Sequence, residues 1–417
     1  MILADALCLD PDRVHRADVR VEGGVITEVG GQLEGADRVD LAGRWLLPGL
    51  VCAHHHLYSA LATGMPFLPE VPRSFTHMLE LVWWRLDRAL DLDSIEVSAL
   101  VGGVDALRRG VTTIIDHHAS PNAIEGSLGV LDDALGRLGL RRVLAYEVTD
   151  RNGPDGARAG LRETERQLAR GAGPMSATMV GAHAAITLSD ATARACADLA
   201  RAAGVGLHVH VAEAVDDRGA VRRLLALDAL PPGSILAHGV HLGDDELHHA
   251  RDAGAWFTHQ PRSNMNNAVG YAPLARMGDR VALGTDGIGA DMLAELQAGY
   301  FRSQEGAVGW GPGRWMQALD AGQSLAGQKL GVTLGRIAPG HAADLVVLDP
   351  APGPPLAVEN LAAALVFRFG SHLVRDVMIA GEWRLRDRQV VGVDLAALDG
   401  RAQVAARAVW ERMATRG

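Results

Sequence analysis

His54, His55 and His56 close the apolar run "LLPGLVCAHHH", and the chemistry such a triplet offers is metal ligation. Side chains of an extended strand alternate between its faces, so only residues two apart reach one ion from the same side. His54 and His56 form that pair, and His55 faces away. Two imidazoles leave zinc unsaturated, because a catalytic site of this metal takes three or more protein ligands and keeps one position for water. The stretch "LHVHVAE" supplies a third in His210, which lies nearer the strand's C-terminal end than His208. His208 then sits one layer lower, as a hydrogen-bonded core histidine or a support for a ligand. Asp286 in "GTDG" adds a carboxylate to the ring. Glu213, three residues after His210, is placed to take a proton from activated water and hand it to a leaving nitrogen, although a carboxylate there also suits the start of a helix. His238 in "LAHGV" can hydrogen-bond the attacking hydroxide or the oxygen that develops charge.

Something must carry these residues to one point. From Leu46 onward, short apolar runs alternate with longer segments of helical spacing, the pattern of βα units and a parallel sheet. Eight runs can be counted: LLPGLVCAHHH, VTTIIDHH, RRVLAYEV, ATMVGAHAA, VGLHVHVAE, SILAHGV, AWFTHQP and RVALGTDG. The segments Asp91 to Arg109 and Ser189 to Ala203 read as helices that stop at Gly110 and Gly204. Eight such units predict an α/β fold of the (β/α)8, TIM-like barrel type, whose active site lies at the C-terminal ends of the strands. The polar residues fall there in every run. Any one of them alone reads as a satisfied structural residue, but eight strand ends together read as a site.

The flanks differ. "ADVRVEGGVITEVG" near the start and "GRIAPGHAADLVVLD" and "VRDVMIAGEWRLRD" near the end have strand texture, which predicts a small β-sandwich built from both termini. The expected organisation is residues 1–47 and 335–394 for the sandwich, 48–334 for the barrel and 395–417 for a terminal amphipathic helix.

With 417 residues, 48% hydrophobic and 22% charged, the chain has the composition of a soluble protein. A net charge of −10 gives no footprint for nucleic acid, whose phosphates demand clustered Lys and Arg. Three cysteines, Cys8, Cys52 and Cys196, form neither a disulfide framework nor a thiolate zinc site, and a cytoplasmic location is expected. No basic-then-apolar leader and no membrane-length apolar run are present.

The motifs "PGLVCAHHH", "HVAE", "LAHGVHL", "SNMNNAVGYAP", "GTDGIGADM" and "GHAADLVVLD", in this order, resemble the amidohydrolase superfamily almost end to end. They are similar to its aminohydrolase and chlorohydrolase branch, which includes cytosine and guanine deaminases, and "WWRLDRALDLDSIEVSAL" with "TTIIDHHASPNAIEGSL" looks closest to the SsnA-type aminohydrolases. The resemblance implies His54, His56, His210 and Asp286 as metal ligands, Glu213 as proton shuttle and His238 as the histidine that positions water or substrate. Cys52 stands where a polar residue often precedes the first ligand. Binuclear relatives often bridge their ions with a carboxylated lysine on the fourth strand; Lys329 is the only lysine in this chain, which favours a single ion.

The expected function is therefore that of a metal-dependent deaminase, replacing an exocyclic amine of a purine-, pteridine- or pyrimidine-like heterocycle with oxygen. One divalent ion is expected, zinc before iron(II), with Asp286 sharing the proton of its water. Substrate choice is expected in the loop from Leu57 to Leu90, through Tyr58, Trp83, Trp84 and Arg85, with contacts from Asp116, His118, Glu147, His183, Arg262 and Asn264. The tryptophans read equally well as packing on the barrel rim. Dechlorination or cyclic-amide cleavage by the same hydroxide is the first rival, and a catalytically silent scaffold the second. By family analogy a homodimer is expected, with neither nucleic acid nor membrane as partner.

Overall fold

A computed structural model describes residues 1–66, 70–306 and 309–415 of the chain; residues 67–69 of the expected substrate loop lie outside the described residues. Its frame is a set of parallel strands: β1 (Leu50–His55), β2 (Val111–His118), β3 (Arg141–Tyr146), β4 (Val180–Ala184), β5 (Leu207–Val211), β6 (Ile235–His238), β7 (Trp256–His259) and β8 (Val281–Leu283). Every residue of β2 is buried, as a parallel sheet sheathed by helices requires.

The strands pair in two arcs. β1, β2 and β3 form one with the short strand Ser176–Thr178, and β4 to β8 form the other in sequence order. Only Met179 separates Ser176–Thr178 from β4, and its amide donates to the Leu144 carbonyl at 2.9 Å, so the fourth stave runs into both arcs. On the opposite side His55 and Asp286 form a single parallel bridge, and the amides of Thr285 and Asp286 both donate to the His54 carbonyl at 3.0 Å. The architecture is TIM-barrel-like.

Helices return the chain between strands as the sequence pattern predicts. Leu92–Arg108 opens on a reciprocal cap, with Asp91 accepting from the Ser94 amide and Ser94 from the Asp91 amide, each at 2.9 Å. Asp190–Ala203 is capped by Ser189 and ends at Gly204, whose φ of 67° is the left-handed turn a side chain resists.

Strands from both chain ends form a nine-stranded sheet. Its seam is the antiparallel pairing of Trp45–Pro48 with Leu345–Leu348. Arg141, at the start of β3, donates to both carboxylate oxygens of Asp344 at 2.7 and 2.9 Å, a buried bidentate pair that ties this sheet to the strand frame. The terminal helix Leu395–Thr415 braces the segment after β1, with Trp410 Nε1 donating to the Leu61 carbonyl at 3.0 Å and Arg412 to that of Ala89 at 2.5 Å. Among the described residues, no helix is long and apolar enough to cross a membrane.

Candidate active site

The C-terminal strand ends converge on a cluster of imidazoles whose hydrogen bonds dictate which nitrogens are free. His56 Nδ1–H donates to the His117 carbonyl and His210 Nδ1–H to the His183 carbonyl, each at 2.6 Å. Each ring therefore turns a bare Nε2 lone pair inward. The two Nε2 atoms face one another at 3.2 Å. His54 Nδ1 lies 2.8 Å from His208 Nε2, and His54 Nε2 is buried without a partner. Asp286 Oδ1 completes the ring, 3.0 Å from His56 Nε2 and 3.8 Å from His54 Nε2. Converging lone pairs and one carboxylate are the donor set of a divalent cation, and the Nδ1 contacts are the supports such ligands take. The field at this point favours positive charge: against the effect of burial, the carboxylates of Asp286 and Glu147 hold His56 well above the usual histidine range, so that a proton competes with a cation for its Nε2.

Beside the cluster sits a buried carboxyl. Burial pushes Glu213 up to about 7, with His238 opposing. Glu213 Oε2 is 3.5 Å from His238 Nε2, which lies 3.8 Å from Asp286 Oδ2. His238 is oriented by Asn264, whose Oδ1 accepts from Nδ1–H at 2.9 Å, and by Gln260, whose side chain accepts from its amide. Ser263 Oγ donates to Asp286 Oδ2 at 2.5 Å and so turns Oδ1 toward the histidines. His238 and Asp286 both have positive φ, 70° and 54°, a backbone cost that concentrates at working sites.

A cavity of about 280 Å³ opens over these residues. Its lining includes Tyr58, Phe75, Trp83, Trp84 and Ile186 together with His183, Glu213 and Asp286, and is more apolar than polar. Trp83 ends a π-helical turn, Leu79–Trp83, that carries both tryptophans to the cavity rim.

The description "Amidohydrolase family" fits residues 45–384, most of the chain. The chain belongs to the amidohydrolase family. Among its amidohydrolase relatives, an 8-oxoguanine deaminase from Pseudomonas aeruginosa is 29% identical, covering 90% of this chain and 89% of its own. A 5-methylthioadenosine/S-adenosylhomocysteine deaminase from Halobacterium salinarum is 30% identical, covering 97% of this chain and 96% of its own. A zinc-bound adenosine deaminase from Xanthomonas campestris shares the fold with a TM-score of 0.84 at 22% identity, with 98% of each chain covered.

Within this amidohydrolase the residues singled out from sequence divide into three groups. His54, His56, His210, Glu213, His238 and Asp286 meet at one point, while His55 turns away to Thr285 Oγ1 at 2.9 Å. Tyr58, Trp84, Glu147 and His183 line the cavity, although Glu147 also backs the ligand cluster, with Oε1 3.2 Å from His56 Nδ1. His183 Nδ1–H is held by Thr187 Oγ1 at 2.7 Å, which leaves Nε2 for the cavity. The third group does not reach it. Arg262, an expected substrate contact, instead pairs its guanidinium with the fully buried Glu295 and donates to the carbonyls of Ile288 and Gly289. Asn264 is committed to His238, and His118 bonds Ser120 at 3.0 Å; neither is a lining residue, nor is Arg85. Asp116 accepts from the Leu57 amide at 2.7 Å and so fixes the chain just after the histidine triplet.

Sequence reasoning assigned no role to Ser263, Asn267 or His117. Asn267 Nδ2 donates to Glu213 at 3.5 Å, and the polar run "RSNMNN" after β7 was the available signal. His117 carried only its place at a strand end.

Proposed function

We propose that this amidohydrolase is a hydrolytic deaminase, replacing an exocyclic amine of a nitrogen heterocycle with oxygen and releasing ammonia. The observation that carries the reading is Glu213: a buried carboxyl poised near neutrality, 3.5 Å from His238 and lining the same cavity as His56, His210 and Asp286. The same reading assigns His54, His56, His210 and Asp286 to one zinc ion, and takes the eight strands as a closed (β/α)8 cylinder and the terminal sheet as a folded sandwich, supported by the His55–Asp286 bridge and the Trp45–Pro48 seam. A divalent ion held there lowers the pKa of water towards about 7 and so supplies the nucleophile at neutral pH.

The side chains perform the rest. Glu213 as carboxylate takes a proton from water and delivers it to a ring nitrogen, so that oxygen adds to a neutral, electron-poor carbon. With Nδ1–H committed to Asn264, His238 offers Nε2 to the O–H of the attacking oxygen and fixes its direction. Asp286, held by Ser263 through Oδ2, has carboxylate lone pairs left to accept the remaining proton. As the carbon–oxygen bond is retained and the carbon–nitrogen bond breaks, that proton leaves with the amine as ammonia. Tyr58, Trp83 and Trp84 provide flat apolar surface for a planar ring. The names of the relatives suggest the first compounds to try.

The test is ammonia release by metal-loaded protein from 8-oxoguanine, 5-methylthioadenosine, S-adenosylhomocysteine and 5'-deoxyadenosine, beside an aminated pteridine and a chlorinated triazine. Ammonia from one heterocycle supports the reading. Chloride release alone, or no turnover across the panel with metal bound, overturns it.

A further inference from the structure

Among the described residues, none that lines the cavity is a lysine or an arginine, while six are carboxylic acids: Asp87, Glu147, Glu213, Asp216, Asp217 and Asp286. A concave site whose charged groups share one sign focuses that sign and repels ligands that carry it. A divalent ion must be counted too. With Asp286 beside it, the ion leaves a net positive charge at the strand ends, and Glu147, Glu213, Asp216 and Asp217 remain in the walls to outweigh it.

Arg151 is a cation next to this wall, and its charge is already engaged. Its Nη2 donates to Asp87 Oδ2 at 2.6 Å, its guanidinium lies 4.7 Å from the centre of the Trp84 ring, and its side chain is only 10% exposed. Recognition of a phosphate or carboxylate needs a guanidinium fork that is free to turn to the ligand. Asp87 is buried at 2% exposure, and its second oxygen, Oδ1, has no hydrogen-bond partner. A buried carboxylate left half-satisfied favours a ligand that brings a donor. Trp84 and Asp87 both line the cavity and stand three apart on the helix Trp84–Ala89, so a planar ring held by the tryptophan has the carboxylate for a neighbour.

We propose that the substrate is a neutral or cationic heterocycle with no anionic substituent, that Asp87 accepts one of its N–H groups, and that Arg151 positions Asp87 and Trp84 instead of receiving an anion. The inference rests on the deaminase reading and names the class of substrate within it. Phosphorylated and carboxylated heterocycles are rejected by charge, not by shape.

Pairs of equal shape isolate that term. Ammonia release by the metal-loaded full chain is compared for the primary amide and the acid of one scaffold: pterin-6-carboxamide with pterin-6-carboxylate, adenosine-5'-carboxamide with adenosine-5'-carboxylate, and the 9-carbamoylmethyl and 9-carboxymethyl derivatives of 8-oxoguanine. On the scaffold that is turned over, kcat/KM of the acid should be at least about tenfold below that of the amide. The double variant Asp87→Asn, Arg151→Gln removes both charges of the buried pair together, so neither is left uncompensated. In it KM for the amide should rise at least about tenfold with kcat little changed, and the penalty on the acid should shrink. Equal kcat/KM for acid and amide overturns the proposal and leaves the deaminase reading standing. So does rejection of both members while the parent heterocycle is turned over, which would make shape the discriminator. An unchanged KM in the double variant removes Asp87 from recognition and overturns that assignment. Silence from every parent heterocycle overturns the deaminase reading and this inference with it.

Discussion

Gly284→Ala tests how tightly the eighth strand must press on the first. A Cβ at 284 would lie 2.7 Å from both the backbone N and O of His54, against the 3.4 Å at which ordinary contact begins. Neither strand is a flexible side-chain tip, so β8 must retreat by about 0.7 Å. The amides of Thr285 and Asp286 now reach the His54 carbonyl at 3.0 Å; after that retreat both bonds pass beyond about 3.5 Å and count for little. Two lost bonds at about 1 kcal/mol each, added to an overpacking cost of about 1–3 kcal/mol, give a destabilisation of about 3–5 kcal/mol. The Asp286 carboxylate moves with its backbone, away from three histidines that stay on β1 and β5. Displacement on this scale costs about 10²-fold in turnover, beyond any loss of folded protein. Urea unfolding and turnover per bound metal ion measure the two effects separately. Wild-type turnover per ion in Gly284→Ala would refute the claim that this backbone approach sets the position of Asp286.

Glu213→Gln should keep its metal and lose about 10²–10⁴ of its rate, checked by metal analysis beside ammonia release; loss of the ion instead would make Glu213 a ligand. Because Glu213 must be ionised to accept the proton of water, activity should rise with pH along an acid limb. Its midpoint lies at or below the value of about 7 that burial imposes, since a bound cation favours the carboxylate. Arg262→Leu leaves Glu295 buried and uncompensated, so it should cost about 3–5 kcal/mol of stability, with KM of the folded fraction unchanged. A large rise in KM would return Arg262 to the substrate.

The proposed ligand set could be read from sequence because the choice depends on local rules. Alternation in a strand selects His54 and His56 over His55, and position along β5 selects His210 over His208. The terminal sheet was legible only as texture, since the pairing of Trp45–Pro48 with Leu345–Leu348 joins segments some three hundred residues apart. Partners brought in by tertiary packing were not legible at all. Nothing near Arg262 announces that Glu295 will rise beneath it, and nothing near Asn264 says that its amide will be committed to His238 rather than to substrate. Both read as cavity residues because they neighbour one in sequence, and a helical turn from Pro261 to Asn266 sends successive side chains in different directions.

The supports of the three imidazoles differ in kind, and that difference can be measured. His56 and His210 are held by main-chain carbonyls, which no substitution at the accepting residue removes. His54 depends on a side chain, His208, which burial keeps neutral by pushing it down to about 3. A neutral His208 can accept at Nε2 only if its own proton sits on Nδ1, a nitrogen with no partner in the core. The opposite tautomer would put the His54 proton on Nε2 and block ligation. The His54–His208 contact therefore selects the tautomer that leaves His54 able to bind a cation, at the cost of one orphaned nitrogen. His208→Phe keeps a ring stacked on His117 and removes that selection. Metal affinity should fall about 10–100-fold, with chelator competition as the readout and circular dichroism reporting an intact fold. Unchanged affinity would mean that packing alone orients His54, and that the hydrogen bond beneath it is incidental.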